Sequence, residues 1–93
     1  MKVTAVCFGS FRDHLPPDIE GNRVTFELEQ GATVGEVPDR LGIDRRRVHA
    51  VFLDGRNADL SQTLYEGAEV TLMPQFTGGE RPEGATDGRA END

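Results

Sequence analysis

Two periods alternate along this chain. MKVTAVC places Val3, Ala5 and Cys7 on one side and Lys2, Thr4 and Val6 on the other, a strand with one apolar and one mixed face. RVTFELE alternates more cleanly. Val24, Phe26 and Leu28 face one way, and Arg23, Thr25, Glu27 and Glu29 the other, as in a half-buried antiparallel strand. The period then lengthens. Val34, Val37 and Leu41 fall at i, i+3 and i+7 and form one helical stripe. Thr33 and Glu36 have capping-box spacing before it, and Gly42 stands where a helix-ending glycine belongs. Pro38 lies inside the stripe, past the expected first turn, and predicts a short or distorted helix.

Further strands follow at Val48–Leu53 and in EVTLMPQF, where Val70 and Leu72 oppose Thr71 and Met73 and Pro74 ends regular pairing. Asp54-Gly55 is a tight-turn signal, and Glu66-Gly67 marks another turn. Between the first two strands, Ser10 is positioned to cap a short helical turn through Arg12 to Leu15, which Pro16-Pro17 stops. The order is strand, strand, helix, strand, short strand, strand. One helix on a small mixed sheet of four to five strands is an α+β two-layer domain. The first two strands pair as a hairpin, and the helix crosses the sheet to a later strand.

Past Gly79 the pattern stops. ERPEGATDGRAEND has two alanines as its only apolar residues, and five carboxylates against two guanidiniums. It cannot bury enough surface to offset its ordering entropy, so residues 80–93 read as a disordered acidic tail and 1–79 as the folded domain.

Composition narrows the function. The 93 residues carry a formal net charge of −7, which argues against binding a phosphate backbone and permits a basic protein partner. Cys7 is the sole cysteine, so no disulfide forms within the chain and a reducing compartment such as the cytoplasm is expected. No apolar run is long enough to span a membrane. Lys2 stands alone against nine arginines, which reads as compositional bias.

Candidate chemistry is sparse. Cys7 lies on the apolar face and reads as a buried, inert thiol. His14 and His49 lack metal-ligand spacing. Arg45, Arg46 and Arg47 read as a solvated loop, with an acidic partner patch as the alternative. CFGS lacks the glycines and lysine of a phosphate loop. Nothing points to an enzyme. Val6, Phe8, Val51, Met73 and Phe76 sit on or near strands whose other face fills the core, and are expected to form an apolar partner surface.

CFGSFRD, VTFELEQGATVGEV, LGIDRRRVHAVFLDGR, LYEGAEVTLMPQF and the closing TGG occur in an order that resembles the MoaD/ThiS family of sulfur carrier proteins across residues 1–79. The resemblance implies a ubiquitin-like β-grasp fold, and MPQFTGG is closer to MoaD-type endings, with Gln75 and Phe76 replacing the usual second Pro and Val. It also implies the chemistry. An activating enzyme of MoeB/ThiF type uses ATP to adenylate the terminal glycine carboxylate. Sulfur then displaces AMP to give a thiocarboxylate, which a synthase subunit accepts. No bound cofactor is implied for the carrier. Gly79 would carry the activated acyl group, Gly78 would provide a narrow backbone passage, and Phe76 and Thr77 would position the arm. In the family an apolar sheet surface beside the arm docks the activating enzyme.

Glycine suits the task because a backbone without Cβ passes close to another protein's active site. Gln75 to Gly79 reaches about 16 Å when extended. Family members that act directly end at the second glycine, and here fourteen residues follow it. A carboxyl held in a peptide bond cannot be adenylated, so removal of residues 80–93 is expected, as by the JAMM-type metalloprotease that trims some relatives. The alternatives are a ubiquitin-like modifier joined through Gly79 to lysines, and a non-covalent interaction module with a glycine linker.

Overall fold

The computed structural model describes residues 1–19 and 21–75. Its elements follow the expected order: β1 (Lys2–Cys7), a 3-10 helix (Gly9–His14), β2 (Arg23–Glu27), α1 (Glu36–Leu41), a 3-10 turn (Arg45–Arg47), β3 (Val48–Leu53), β4 (Arg56–Asn57) and β5 (Ala68–Pro74). They form one five-stranded sheet in the order β2-β1-β5-β3-β4. β1 is antiparallel to β2 and parallel to β5, and β3 is antiparallel to both β5 and β4. The first and last strands therefore lie side by side at the centre, and β5 leaves the sheet at the end where β1 also finishes.

One face of the sheet is closed by α1 and its flanking loops. Val3, Ala5 and Cys7 from β1, Val70 and Leu72 from β5, and Val51 and Leu53 from β3 meet Val34, Val37, Ile43 and Leu64 in a single core. Val24, Phe26 and Leu28 pack against its margin, which bears out the alternation read for β2.

The helix is short, as expected, but Pro38 does not distort it. The helix begins at Glu36, so Pro38 is its third residue and the N–H it lacks belongs to the first turn, where no carbonyl waits for it. Pro38 is fully buried there. The Glu36 carboxylate reaches back to accept the Thr33 N–H at 3.1 Å, the glutamate half of a capping box. At the other end Gly42 takes φ +77°, and its N–H and that of Ile43 donate to the Asp39 and Pro38 carbonyls at 3.1 and 2.8 Å.

Ser10 is not the cap proposed for it. The 3-10 helix has no side-chain cap, and the Ser10 hydroxyl instead accepts from Arg47 Nη2 at 3.2 Å. Phe11, at the centre of this helix, is fully buried.

Asp54 and Gly55 take φ of +50° and +85°, the left-handed pair that a two-residue hairpin between Leu53 and Arg56 requires. Asp54 also ties the hairpin to β5. Its backbone N–H donates to the Glu69 carbonyl at 2.8 Å, and its carboxylate accepts the Glu69 N–H at 2.9 Å and the Tyr65 hydroxyl. The Tyr65 bond, then the Glu69 N–H, hold the Asp54 carboxyl below its ordinary range. Asp44 is held to about 2, chiefly by its hydrogen bonds with Arg46. Both carboxyls are more acidic folded than unfolded. Their stabilisation is present above the unfolded pKa near 4 and is lost as pH falls through the folded values. Asp44→Asn and Asp54→Asn are therefore expected to flatten the fall of Tm between about pH 4 and pH 2 relative to the parent, read by thermal melts across that range.

Candidate functional site

The place of interest is where β5 ends. Pro74 pairs with Val48, and Gln75 is exposed beyond it. The residues expected to carry the chemistry, Gly79, Gly78, Thr77 and Phe76, lie outside the described residues. What is described is the root of the arm and the surface around it.

The parallel ladder of β1 and β5 continues one residue past Cys7, since the Phe8 N–H donates to the Leu72 carbonyl at 3.3 Å. Phe8 is therefore beside Met73, on the sheet face away from α1, and is 40% exposed. Met73 is half-buried and opposes Ala50 across the β5–β3 ladder. Two of the expected surface residues thus sit together beside the arm.

Val51 does not join them. It pairs with Leu72 and is in the core, 5% exposed. The reason is register. Leu53 opposes Val70 on the core side, so every second residue back from Leu53 also faces the core, and Ala50 and Phe52 take the outer face. A bulge between Val48 and Ala50 then lets Val48 pack on the core too. Phe52, half-buried and opposite Thr71, is an outer-face residue that pattern reading missed. The signal was the Asp54-Gly55 turn, which fixes Leu53 and hence the parity of β3.

Val6 lies on the outer face as expected but is only 6% exposed. β1 runs between β2 and β5, so the ion pair of Arg23 with Glu69, at 2.8 Å, spans β1 beside Val6 and helps to cover it. The accessible apolar patch is therefore Phe8, Met73, Ala50 and Phe52.

Basic side chains stand behind the arm root, and most are occupied. Arg45 holds Asp39 through two bonds of 3.1 and 2.8 Å, and a Cβ on Gly35 would sit 2.8 Å from Arg45 Cζ. Glycine at 35 leaves room for that guanidinium. Arg46 forks onto Asp44, with Nη2 to Oδ2 at 2.7 Å. Arg47 lies 5.6 Å over the Phe11 ring and donates to Ser10, which pins the 3-10 helix to the start of β3.

Among the described residues, catalytic groups do not gather here. Cys7 is buried in the core, and burial pushes its thiol up to about 11, which leaves it protonated and unreactive at neutral pH. Among the described residues, no three of the His, Cys, Asp and Glu side chains come close enough to hold a metal. Nor is any described helix long and apolar enough to cross a membrane.

A sheet with parallel first and last strands at its centre, and a helix crossing one face, is the ubiquitin-like β-grasp. Solved structures agree on the fold. SAMP1 from Haloferax volcanii superposes with a TM-score of 0.64 at 20% identity, over 85% of this chain and 100% of that one. Subunit 1 of a molybdopterin converting factor from Pyrococcus furiosus gives 0.59 at 18% identity, over 78% and 95%. Caldiarchaeum subterraneum ubiquitin gives 0.53 at 19% identity, over 85% and 98%. None of the curated proteins matches this chain. The model of the ThiS family matches residues 16–79, and the chain belongs to that family. Proteins of this class are small carriers rather than catalysts.

Proposed function

We propose that this chain is a sulfur carrier whose working terminus is Gly79. The observation that carries the reading is where the ThiS family match stops: it ends at Gly79, the second glycine, five residues after β5 leaves the sheet. Fully extended, an arm of that length would reach about 16 Å from the sheet, enough for a recessed active site. Cleavage after Gly79 frees the carboxylate. A partner of MoeB/ThiF type spends ATP to adenylate it, and sulfur displaces AMP to leave a thiocarboxylate. A synthase subunit then takes the sulfur. The MPQFTGG ending and the likeness to a molybdopterin converting factor subunit favour a molybdopterin-like pathway as recipient. A JAMM-type protease is the class of enzyme suited to removing residues 80–93.

The second reading is a modifier joined through Gly79 to amines on other proteins. The likeness to a small archaeal modifier protein favours it, and it draws on the same activated carboxyl. Intact mass of the protein recovered from its own cells tests both. A species ending at Gly79 with one sulfur in place of one oxygen is expected. A population consisting only of chains ending at Asp93 would overturn the carrier reading.

The patch of Phe8, Met73, Ala50 and Phe52 is where the activating enzyme would dock. Phe8→Ala combined with Met73→Ala is expected to raise the KM of adenylation about tenfold, a loss of roughly 1.4 kcal/mol of binding. Phe8, at an exposed position, is expected to shift stability little, within about 0.5 kcal/mol, and half-buried Met73 somewhat more. Steady-state ATP–pyrophosphate exchange alongside a thermal melt checks this.

A further inference from the structure

We infer that the outer edge of β2 pairs with the same edge of a second copy of this chain, antiparallel and centred on Thr25, to give one continuous ten-stranded sheet. The inference is independent of what Gly79 does. β2 is the terminal strand of the sheet and pairs with β1 alone. Which of its residues face the open edge follows from the ladder. Met1 and Leu28 exchange both backbone bonds, at 2.7 and 2.9 Å, and the Cys7 N–H donates to the Asn22 carbonyl at 2.8 Å. Bonded pairs alternate along an antiparallel ladder, so Val24 and Phe26 also turn their backbone groups to β1. Arg23, Thr25 and Glu27 turn theirs outward. Among the described residues, only the Glu27 carbonyl has a partner there, Arg40 Nη1 at 2.9 Å. A carbonyl oxygen has two lone pairs, so that bond leaves room for a second.

Sequence and register make this edge complementary to itself. With Thr25 opposite Thr25, Arg23 of each copy faces Glu27 of the other, and each of these outward-turned pairs exchanges its backbone bonds. The charged pairs fall at both ends of the ladder on the solvent face, where the Arg23 and Glu27 side chains are 61% and 69% exposed. Glu69, the present partner of Arg23, lies on the β5 side, so the guanidinium can bridge it and the second copy's Glu27. Val24 and Phe26, half-buried at the core margin, oppose each other at the non-bonded positions, where side chains approach closest. The other edge of the sheet is blunted by its brevity, since β4 has only two residues. β2 carries neither the proline nor the bulge that commonly protects an edge.

The two-fold axis stands normal to the sheet. It keeps both helices on one face and both Phe8–Met73 surfaces on the other. β5 and its copy are then five strand spacings apart, about 24 Å. Because β1 and its copy run antiparallel, the two β5 strands end at opposite margins of the sheet. The dimer presents two docking surfaces at once, and the new interface covers neither.

The test is sedimentation velocity of the full chain from micromolar to millimolar concentration. It is run in about 0.15 M salt, where repulsion between two chains of net charge −7 is screened beyond about 8 Å. The parent is expected to pass from monomer to dimer. Thr25→Pro removes an N–H that the β1–β2 ladder does not use, and is expected to weaken dimerisation about tenfold or more at nearly unchanged Tm. Arg23→Glu and Glu27→Arg each set like charges at both ends of the new ladder, and each alone is expected to lose about tenfold. An equimolar mixture of these two variants restores opposite charges. It is expected to form the mixed dimer, identified by native mass spectrometry. Amide exchange at Arg23, Thr25 and Glu27 is expected to slow as concentration rises. A parent that stays monomeric at millimolar concentration overturns the inference. So does a dimer that Thr25→Pro and both charge variants leave intact, or a mixture that dimerises no better than its components. The charge variants and their mixture decide the matter if Thr25→Pro does not fold.

Discussion

A chain ending at Gly78 is expected to form thiocarboxylate about 100-fold more slowly than one ending at Gly79, with no change in Tm. Removing one residue draws the carboxyl back by roughly 3.3 Å. Displacement of a reacting group by about 1 Å already costs near 100-fold, because the aligned approach of carboxylate to ATP is lost. The sheet cannot compensate, since β5 is fixed by β1 as far as Leu72 and by β3 as far as Pro74. The fold is not expected to notice the loss, because β5 ends at Pro74, five residues before Gly79. Gly79→Val in a chain of unchanged length separates reach from bulk. It keeps the distance and adds a branched side chain beside the acyl carbon, which a narrow passage in the activating partner would not admit. The measurement is ATP–pyrophosphate exchange with the activating partner, followed by intact mass. Equal rates for chains ending at Gly78 and Gly79 would remove the arm-length argument.

The pattern of apolar positions was enough for the element order and the sheet's composition. β2 kept its alternation, and the hairpin at Asp54-Gly55 formed with the backbone those residues favour. Three failures have separate physical causes. Pro38 falls past the first turn only for a helix that starts near Thr33; the helix begins at Glu36, and the missing N–H costs nothing. The face of Val51 is not legible because VHAVFL is apolar at nearly every position, so composition alone gives no parity, and the bulge near its start breaks any count made from Val48. The covering of Val6 is not legible because the Arg23–Glu69 pair depends on strand order, which joins residues far apart in sequence. For the site, Gly78-Gly79 stands out in the sequence as a glycine pair after the last strand but lies outside the described residues, whereas Phe52 becomes visible only with register.

Phe8 and Phe11 lie three residues apart and are expected to fail in opposite ways. Phe11 has no exposed surface, and its ring fills the core from a 3-10 helix that carries no periodic signal and no side-chain cap. Arg47 covers one face of the ring and is itself anchored on Ser10. Phe11→Ala leaves a cavity that this corner cannot close, at a cost of about 3–5 kcal/mol. A domain of this size has roughly 5–15 kcal/mol in total. One kcal/mol lowers Tm by about 4–8 °C in a domain of 60–100 residues, so a fall of about 12 °C or more is expected. Phe11→Leu, which keeps most of the volume, should recover most of it. Phe8→Ala leaves Tm nearly unchanged, because its ring already faces solvent beside Met73. Its effect falls on docking. Thermal melts of the two alanine variants side by side decide the matter. If Phe8→Ala proved as destabilising as Phe11→Ala, the Phe8 ring would be a packing element of the sheet, and the surface beside the arm would lose its most exposed member.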